Sequence, residues 1–158
     1  MKFYFSILFF IALLACDSVK NTTASTIEFK TLTNYQKNDN IHLSEPITYK
    51  YITKDEIFHN HFHMTKASMT TAIVPDFTTQ SVIAIMLQPS TKVIELEITK
   101  TIVEGGELQI NYTLTDTTSW ATYEQSVSAV ATIPKNTSIK TISFYNKGVK
   151  EYSTKVED

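Results

Sequence analysis

Apolar and polar residues alternate with a period of two along most of the chain after residue 26, which predicts half-buried antiparallel strands. The clearest stretch covers residues 94–102, and a second one covers residues 108–114. Shorter stretches of this kind cover residues 27–29 and 47–51. The predicted inward-facing residues of the two clear stretches are Ile94, Leu96, Ile98, Ile102, Leu108, Ile110, Tyr112 and Leu114.

The two clear stretches are predicted to form a β-hairpin whose register depends on its turn. A two-residue turn would pair Thr101 with Ile110 and so place a polar residue on the apolar face. A three-residue loop over residues 104–106 gives the apolar pairs Ile102–Leu108 and Ile98–Tyr112. We therefore expect the longer loop, with Gly106 in the left-handed conformation of a G1-type bulge.

Three further strands are expected at residues 81–87, 126–132 and 139–145. The first is almost wholly apolar, which suits a strand in the middle of a sheet. The pattern as a whole predicts a mainly β domain, an antiparallel β-sandwich or barrel-like fold within the β-rich α+β class.

One short helix is expected near residues 54–64. Thr53 and Glu56 have the spacing of a capping box, and acidic residues fill the first turn, where the helix dipole favours them. The predicted apolar stripe of this helix consists of Ile57, Phe58 and Phe62.

The N-terminus has the pattern of a secretory signal. Residues 1–15 carry one positive charge followed by an apolar run that is too short for a comfortable membrane span. The sequence Leu-Leu-Ala before Cys16 resembles a bacterial lipobox, which implies cleavage and lipidation at Cys16. Residues 16–25 then form a flexible polar tether, residues 26–150 a single domain, and residues 151–158 a polar tail.

Composition narrows the classes of partner. The chain of 158 residues has 14 Lys and Arg residues, all of them Lys, against 16 Asp and Glu. Arg is the usual residue for bidentate recognition of phosphates and base edges, so nucleic-acid binding is not expected. Low Gly and Pro with abundant Lys, Asn, Ile and Thr are typical of an AT-rich genome such as those of Bacteroidetes.

Candidate chemistry is sparse. On a helix, His59 and His63 would lie four residues apart and could share a metal ion, but a complete site needs further ligands and His42 is distant in sequence. The carboxylates of Glu95 and Glu97 share a strand face, as an alternating polar face routinely produces. We therefore expect no catalytic residues, no functional metal site and no cofactor.

Two predicted loops are the candidate interaction surfaces. Residues 116–125 contain Trp120 and Tyr123, which are either exposed for recognition or, in the case of Trp120, folded back to cap the end of the sandwich. Residues 88–93 form the second loop. Its candidate contact residues are Gln88, Ser90 and Thr91.

From about Ile47 to Tyr145, the order of features resembles the PrcB family, short lipoproteins named for a subunit of a protease complex. The resemblance rests on a strand that leads into a capped helix, an acidic-Phe entry into a central strand, a Gly-Gly hairpin and a strand that ends before a proline. These features are Tyr51–Ile57, Pro75–Phe77 followed by Ser81–Leu87, Glu104–Leu108 and Ile133–Lys135. The chain departs from the family at residues 88–93, where a Thr-Gly-Gly-Tyr-like loop is typical.

The resemblance implies a non-enzymatic accessory of an envelope protease. We therefore expect an exported protein, anchored by lipid to the bacterial envelope, most simply the outer membrane, that acts as an interaction or assembly subunit for a protein partner such as a protease. The alternative is a ligand-binding or peptidase-inhibitory module that recognises carbohydrate or a protease cleft. Exposed coplanar aromatic rings would favour carbohydrate, whereas a contiguous apolar patch or an open sheet edge would favour assembly.

Overall fold

The structure is a computed structural model that describes residues 23–65 and 73–156. This part of the chain forms eleven strands and one helix. In chain order they are β1 (Ser25–Ile27), β2 (Lys30–Thr31), β3 (Tyr35–Lys37), β4 (Ile47–Ile52), α1 (Asp55–His61), β5 (Phe62–Met64), β6 (Gln80–Leu87), β7 (Ser90–Glu104), β8 (Glu107–Gln125), β9 (Ser128–Pro134), β10 (Thr141–Asn146) and β11 (Val149–Lys155).

The strands build three sheets, and the predicted mainly β fold with one short helix is confirmed. A five-stranded sheet has the order β1-β7-β8-β10-β11, a four-stranded sheet has the order β2-β9-β6-β4, and β3 pairs with β5. All pairs are antiparallel except β8 with β10, which run parallel with Leu108 opposite Ile142. The predicted antiparallel architecture thus includes one parallel pair.

The main core lies between the five-stranded and four-stranded sheets. Its buried side chains are Ile83, Ile85, Ile98, Leu108, Ile110, Tyr112, Ala129, Ala131, Ile133, Ile139, Ile142 and Phe144. They include alternate residues of β6, β8 and β9, as the period of two in a strand requires. Burial of this apolar surface is the main favourable term in holding the two sheets together.

A second core covers the opposite face of the four-stranded sheet. Here Val82, Ala84 and Met86 of β6 pack with residues from α1 and the β3–β5 pair, including Phe58 and Phe62. The ring centroids of Phe58 and Phe62 are 5.4 Å apart. Strand β6 is thus buried on both faces, which explains its nearly continuous apolar sequence.

The helix is shorter than predicted and starts differently. Lys54 is the residue that precedes the first turn, with an extended backbone and no side-chain cap, so the predicted capping box from Thr53 to Glu56 does not form. The helix ends at His61 because Phe62 has extended dihedral angles and enters β5. The side-chain amide nitrogen of Asn38 donates to the carbonyls of His59 and Asn60, at 2.9 and 3.0 Å, and so provides hydrogen-bond partners for the carbonyls at this end of the helix.

The β7–β8 hairpin has a two-residue turn, so the predicted three-residue loop was wrong. Glu104 pairs with Glu107 across Gly105 and Gly106, whose φ angles are 59° and 83°. Two positive φ angles are the requirement of a type I′ turn. The left-handed conformation predicted for Gly106 is present, but without the predicted G1 bulge at the turn.

A β-bulge in β7 makes the two-residue turn compatible with the burial of apolar side chains on one face of the hairpin. Ile98 does pair with Tyr112, as predicted, but Lys100 pairs with Asn111, so Thr99 is an extra residue. The bulge reverses the faces of β7, because an added residue changes the side to which later side chains point. Thr101 is therefore fully buried, and its hydroxyl donates to the carbonyl of Ile27. Ile102, which was expected inside, is only partly buried.

Strand limits differ from expectation near the C-terminus. The strands expected at residues 126–132 and 139–145 are found at Ser128–Pro134 and Thr141–Asn146. Most of the segment expected to be a polar tail, residues 151–158, belongs to β11. Strand β11 pairs with β10 across a tight turn at Lys147 and Gly148.

The predicted signal segment and Cys16 lie outside the described residues, as does most of the tether, whose last residue, Ser25, begins β1. Within the part of the chain that the structure describes, no helix is long and apolar enough to cross a membrane.

Candidate recognition surface

The outer half of the β7–β8 hairpin extends beyond the buried core. We call this unit the distal hairpin and define it as residues 90–94 of β7 and residues 116–125 of β8. None of these residues is buried. Residues 116–125 were expected to be a loop, and residues 90–93 were expected to be part of another; both instead belong to long strands.

The two strands of the distal hairpin are paired irregularly. Ser90 pairs with Gln125 and Ile94 with Asp116, so β8 places many more residues against this stretch than β7 does. Such bulges re-aim side chains and increase local twist. This irregular pairing is the setting in which the aromatic side chains of β8 turn outward.

Both aromatic candidates are exposed. Trp120 and Tyr123 each keep 68% of their surface accessible, so Trp120 does not fold back to cap the sandwich. The ammonium nitrogen of Lys92 lies 6.0 Å from the centroid of the Trp120 ring and 3.4 Å from a carboxylate oxygen of Asp116. The cation and the ring are close enough to attract each other, which holds Trp120 beside β7.

Tyr123 lies at a separate surface pocket of about 380 Å³ between the end of β8 and the strand β3. Gln36, Lys37 and Asp39 line the opposite side of this pocket. Lys37 is buried, and its ammonium group donates to the carbonyls of Asn38 and Ile41 at 3.1 and 3.0 Å. These bonds fix the loop after β3 and thereby the shape of the pocket.

The β3 side of this pocket was not anticipated from the sequence. Gln36 and Lys37 lie in a strand of three residues, and Asp39 lies in the turn after it, so too few strand positions are present for an alternating pattern to be recognised. The one available signal was Tyr35, which shares a face of the strand with Lys37 and is buried against the ring of Phe58, with centroids 4.9 Å apart.

The other predicted contact residues lie at the base of the distal hairpin. Gln88 precedes β7, and its side-chain amide donates to the carbonyl of Leu43 at 2.8 Å, so it ties two connecting segments together. The Ser90 hydroxyl accepts a bond from the backbone of Lys92 at 3.0 Å. Thr91 is half-buried beside it. Of these three, only Ser90 and Thr91 share the strand that faces Trp120.

The two histidines considered as metal ligands are on different elements. His59 lies on α1, where its ring nitrogen is 3.3 Å from a carboxylate oxygen of Asp55. His63 lies on β5 and donates to the side-chain oxygen of Asn38 at 2.8 Å. The helical spacing that suggested a shared ion is therefore absent. Across residues 23–65 and 73–156, no group of three or more His, Cys, Asp or Glu residues is placed to hold a metal.

A polar network links three strands of the five-stranded sheet. The carboxylate of Glu107 on β8 accepts bonds from the Lys150 ammonium at 2.8 Å and from the buried hydroxyl of Ser143. Ser143 and Ser153 have hydroxyl oxygens 2.9 Å apart. Bonds from Lys150 and Ser143 hold the pKa of Glu107 below its ordinary range. The carboxylate is thus kept ionised as a cross-strand acceptor.

No protein-family model, no curated protein and no solved structure matches this chain.

Proposed function

We propose that the protein is an exported, lipid-anchored, non-catalytic component of the bacterial envelope that acts as an interaction or assembly subunit. The proposal assigns recognition to the distal hairpin. The observation that carries it is the exposure of Trp120 and Tyr123 on β8, a long strand of the five-stranded sheet. Exposed aromatic side chains on a rigid frame are the usual energetic centres of protein interfaces.

The partner we propose is a protein, in the first instance an envelope protease. The resemblance of the chain to the PrcB family supports this choice. Within the described segments, β4 and β11 are each paired on one side only, which also favours assembly, because unpaired strand edges are sites at which another chain can add.

Carbohydrate recognition has less support than protein binding. Trp120 lies beside Lys92, whereas Tyr123 lines the pocket against β3. The two rings therefore lie in different surroundings, one beside a cation and one at a pocket, which favours separate contacts with a protein over one shared platform for a sugar ring. A peptidase-inhibitory role remains the second candidate, because the exposed Trp120 on the irregularly paired part of β7 and β8 could enter a protease cleft.

The partner is tested by crosslinking in the native membrane. A photoreactive amino acid replaces Trp120 in one tagged full-length chain and Val74, another exposed apolar residue, in a control chain. We expect one peptidase-domain protein to crosslink from position 120 and not from position 74. The W120A/Y123A variant should lose this partner in pull-down, and the I73A/V74A variant should keep it.

Equal recovery by both double variants would contradict the assignment to the distal hairpin. Inhibition of the captured peptidase by the parent chain, lost in W120A/Y123A, would select the inhibitory role over assembly.

The anchor is tested separately at Cys16. In cells fed an alkyne-labelled fatty acid, the parent chain should become labelled and the C16S variant should not. The variant should also leave the membrane fraction, because it lacks the acyl chains that stable anchoring needs. An unlabelled parent chain would overturn the anchor but not the assignment of the distal hairpin.

A further inference from the structure

A groove of about 450 Å³ lies between the outer strands of the two large sheets. In the five-stranded sheet, β8 and β10 separate its strand β11 from β7. One wall is β4, the last strand of the four-stranded sheet, and the other is β11, the last strand of the five-stranded sheet. The N-terminal strands β1 and β2 form the opposite ends of the same sheets. The groove is therefore on the side of the domain away from the N-terminal attachment.

The backbone of β4 is open along this groove. In the described part of the chain, β4 pairs only with β6, in a register that runs without a shift from Ile47 opposite Leu87 to Ile52 opposite Val82. Every second residue of such an edge strand directs its amide and carbonyl away from the sheet. A regular, unbulged edge is a template to which another extended chain can add.

Aromatic rings form the lining between the two walls. The rings of Tyr49 and Tyr152 are stacked, and Tyr51 lies two residues farther along β4. The hydroxyls of Tyr49 and Tyr51 are already bonded, to Tyr112 at 2.7 Å and to Ser81 at 3.1 Å. These tyrosines therefore offer ring surface to a ligand, with little unsatisfied polarity.

Lysines are the charged side chains among the described residues that line the groove. They are Lys50, Lys54 and Lys155. None of the three ammonium groups forms an ion pair with a residue in the described segments. Two acidic residues lie near the groove but outside its described lining: Asp55, which is beside His59, and Glu151, which acts electrostatically on Tyr49.

We propose that this groove binds an extended acidic segment of a partner protein, which adds as a strand to the free edge of β4 and places its carboxylates near Lys50, Lys54 and Lys155. Main-chain hydrogen bonds would supply affinity, and the lysines would select acidic sequences over basic ones. The site goes beyond the function assigned to the distal hairpin, because it shares no residue with it and does not depend on the lipid anchor.

The probe is a fluorescein-labelled peptide of roughly eight residues with alternating valine and glutamate, which is long enough to span one strand. Its binding to the full-length protein in detergent is measured by fluorescence anisotropy. We expect binding that weakens at high salt. The peptide with lysine in place of glutamate should not bind, nor should one with alternate backbone nitrogens methylated, because it cannot pair with an edge strand.

The K50Q/K155Q variant should weaken binding roughly tenfold, since it removes two charge contacts, one from the half-buried Lys50 and one from the exposed Lys155. The matched control K30Q/K100Q removes the same charge from β2 and β7, and should bind within about twofold of the parent. Thermal unfolding of each variant establishes that it is folded.

Equal weakening in both double variants, or equal binding of the methylated peptide, would overturn the proposal. Evidence for any of three alternative occupants of the groove would also overturn the proposal. Vesicles containing phosphatidylglycerol that bind through Lys50 and Lys155 in preference to the peptide would indicate a membrane surface. Dimerisation that K50Q/K155Q abolishes, measured by sedimentation, would indicate a second copy. Peptide binding that appears only after Glu157 and Asp158 are removed would indicate that the chain's own end occupies the groove.

Discussion

The rings of Tyr49 and Tyr152 lie nearly parallel, with 5.1 Å between their centroids and 12° between their planes. Tyr49 belongs to the four-stranded sheet and Tyr152 to the five-stranded sheet, so this stack joins the outer strands of two different layers. Phe144 completes the cluster, with its ring centroid 4.7 Å from that of Tyr49. The open side of the sandwich is thus closed by aromatic contact rather than by backbone pairing.

Removal of the Tyr152 ring should therefore weaken the attachment of β11. We expect Y152A to lower the free energy of unfolding by about 1–2 kcal/mol, because it loses the stacking and part of the apolar burial. Y152F keeps the ring and should stay within about 0.5 kcal/mol of the parent. Urea unfolding at equilibrium measures both variants.

A control for strand propensity is available at Tyr123, which is more exposed and lies on β8. Y123A removes the same side chain from a strand without the ring stack, so its effect should stay within about 0.5 kcal/mol. If Y152A and Y123A were equally mild, the stack would contribute nothing measurable to stability.

The sequence predicted the elements whose burial alternates or is continuous. Strand β6 was expected from its apolar run and is buried on both faces, and the alternation of β8 from Leu108 to Tyr112 matches its burial. In strand β7, the alternation of apolar and polar residues does not predict which side chains are buried. The alternation includes Ile102, yet the bulge at Thr99 sends Thr101 inside, and the reason is a long-range contact with Ile27.

Many residues of the candidate recognition surface were identified from the sequence, but their secondary structure was not. Trp120 and Tyr123 were selected as candidate contact residues, with Trp120 either exposed or folded back, and both are exposed. The Thr- and Ser-rich segment around them, however, was interpreted as a loop. A strand that is exposed on both faces lacks the alternation of apolar and polar residues by which strands are predicted. The same reason explains β11, which was expected to be a polar tail. The groove between β4 and β11 needs strand order, which pattern alone does not provide.

The two tight turns of the five-stranded sheet allow a matched test of backbone geometry. Gly106 and Gly148 each occupy the second position of a two-residue turn, with φ of 83° and 85°. A Cβ atom at Gly106 would lie 3.2 Å from the carbonyl oxygen of Ser138, whereas one at Gly148 would meet nothing within 4 Å. Alanine is strained by a positive φ at either site.

We expect G148A to cost about 1–2 kcal/mol of unfolding free energy from backbone strain alone. G106A should cost more, because the connection that contains Ser138 must also move. Urea unfolding of the two variants beside the parent gives the difference. An equal loss of unfolding free energy in the two variants would mean that the carbonyl of Ser138 moves away at no energetic cost. A smaller loss in G106A would contradict the described packing of the turn.

Acid should destabilise the protein partly through Glu107. Bonds from Lys150 and Ser143 lower the pKa of this carboxyl in the folded state, so folding favours its ionised form. The stabilisation is fully present above the ordinary Glu pKa near 4.5 and is lost as pH falls from there through the lower folded value. E107Q should therefore be less stable than the parent at pH near 7, and the gap should narrow below about pH 4.5.

Urea midpoints measured over a pH series test this narrowing of the gap between parent and E107Q. Asp76, whose pKa is lowered by bonds from Thr78 and Thr79, is present in both chains and cancels in the difference. E124Q, on the exposed end of β8, is the control and should follow the parent at every pH, because the network of Ser143 and Lys150 is built on Glu107 and not on Glu124. A gap for E107Q that stayed constant through the acid range would mean that the side chain acts through packing alone, and that ionisation of Glu107 does not link β8 to β10 and β11.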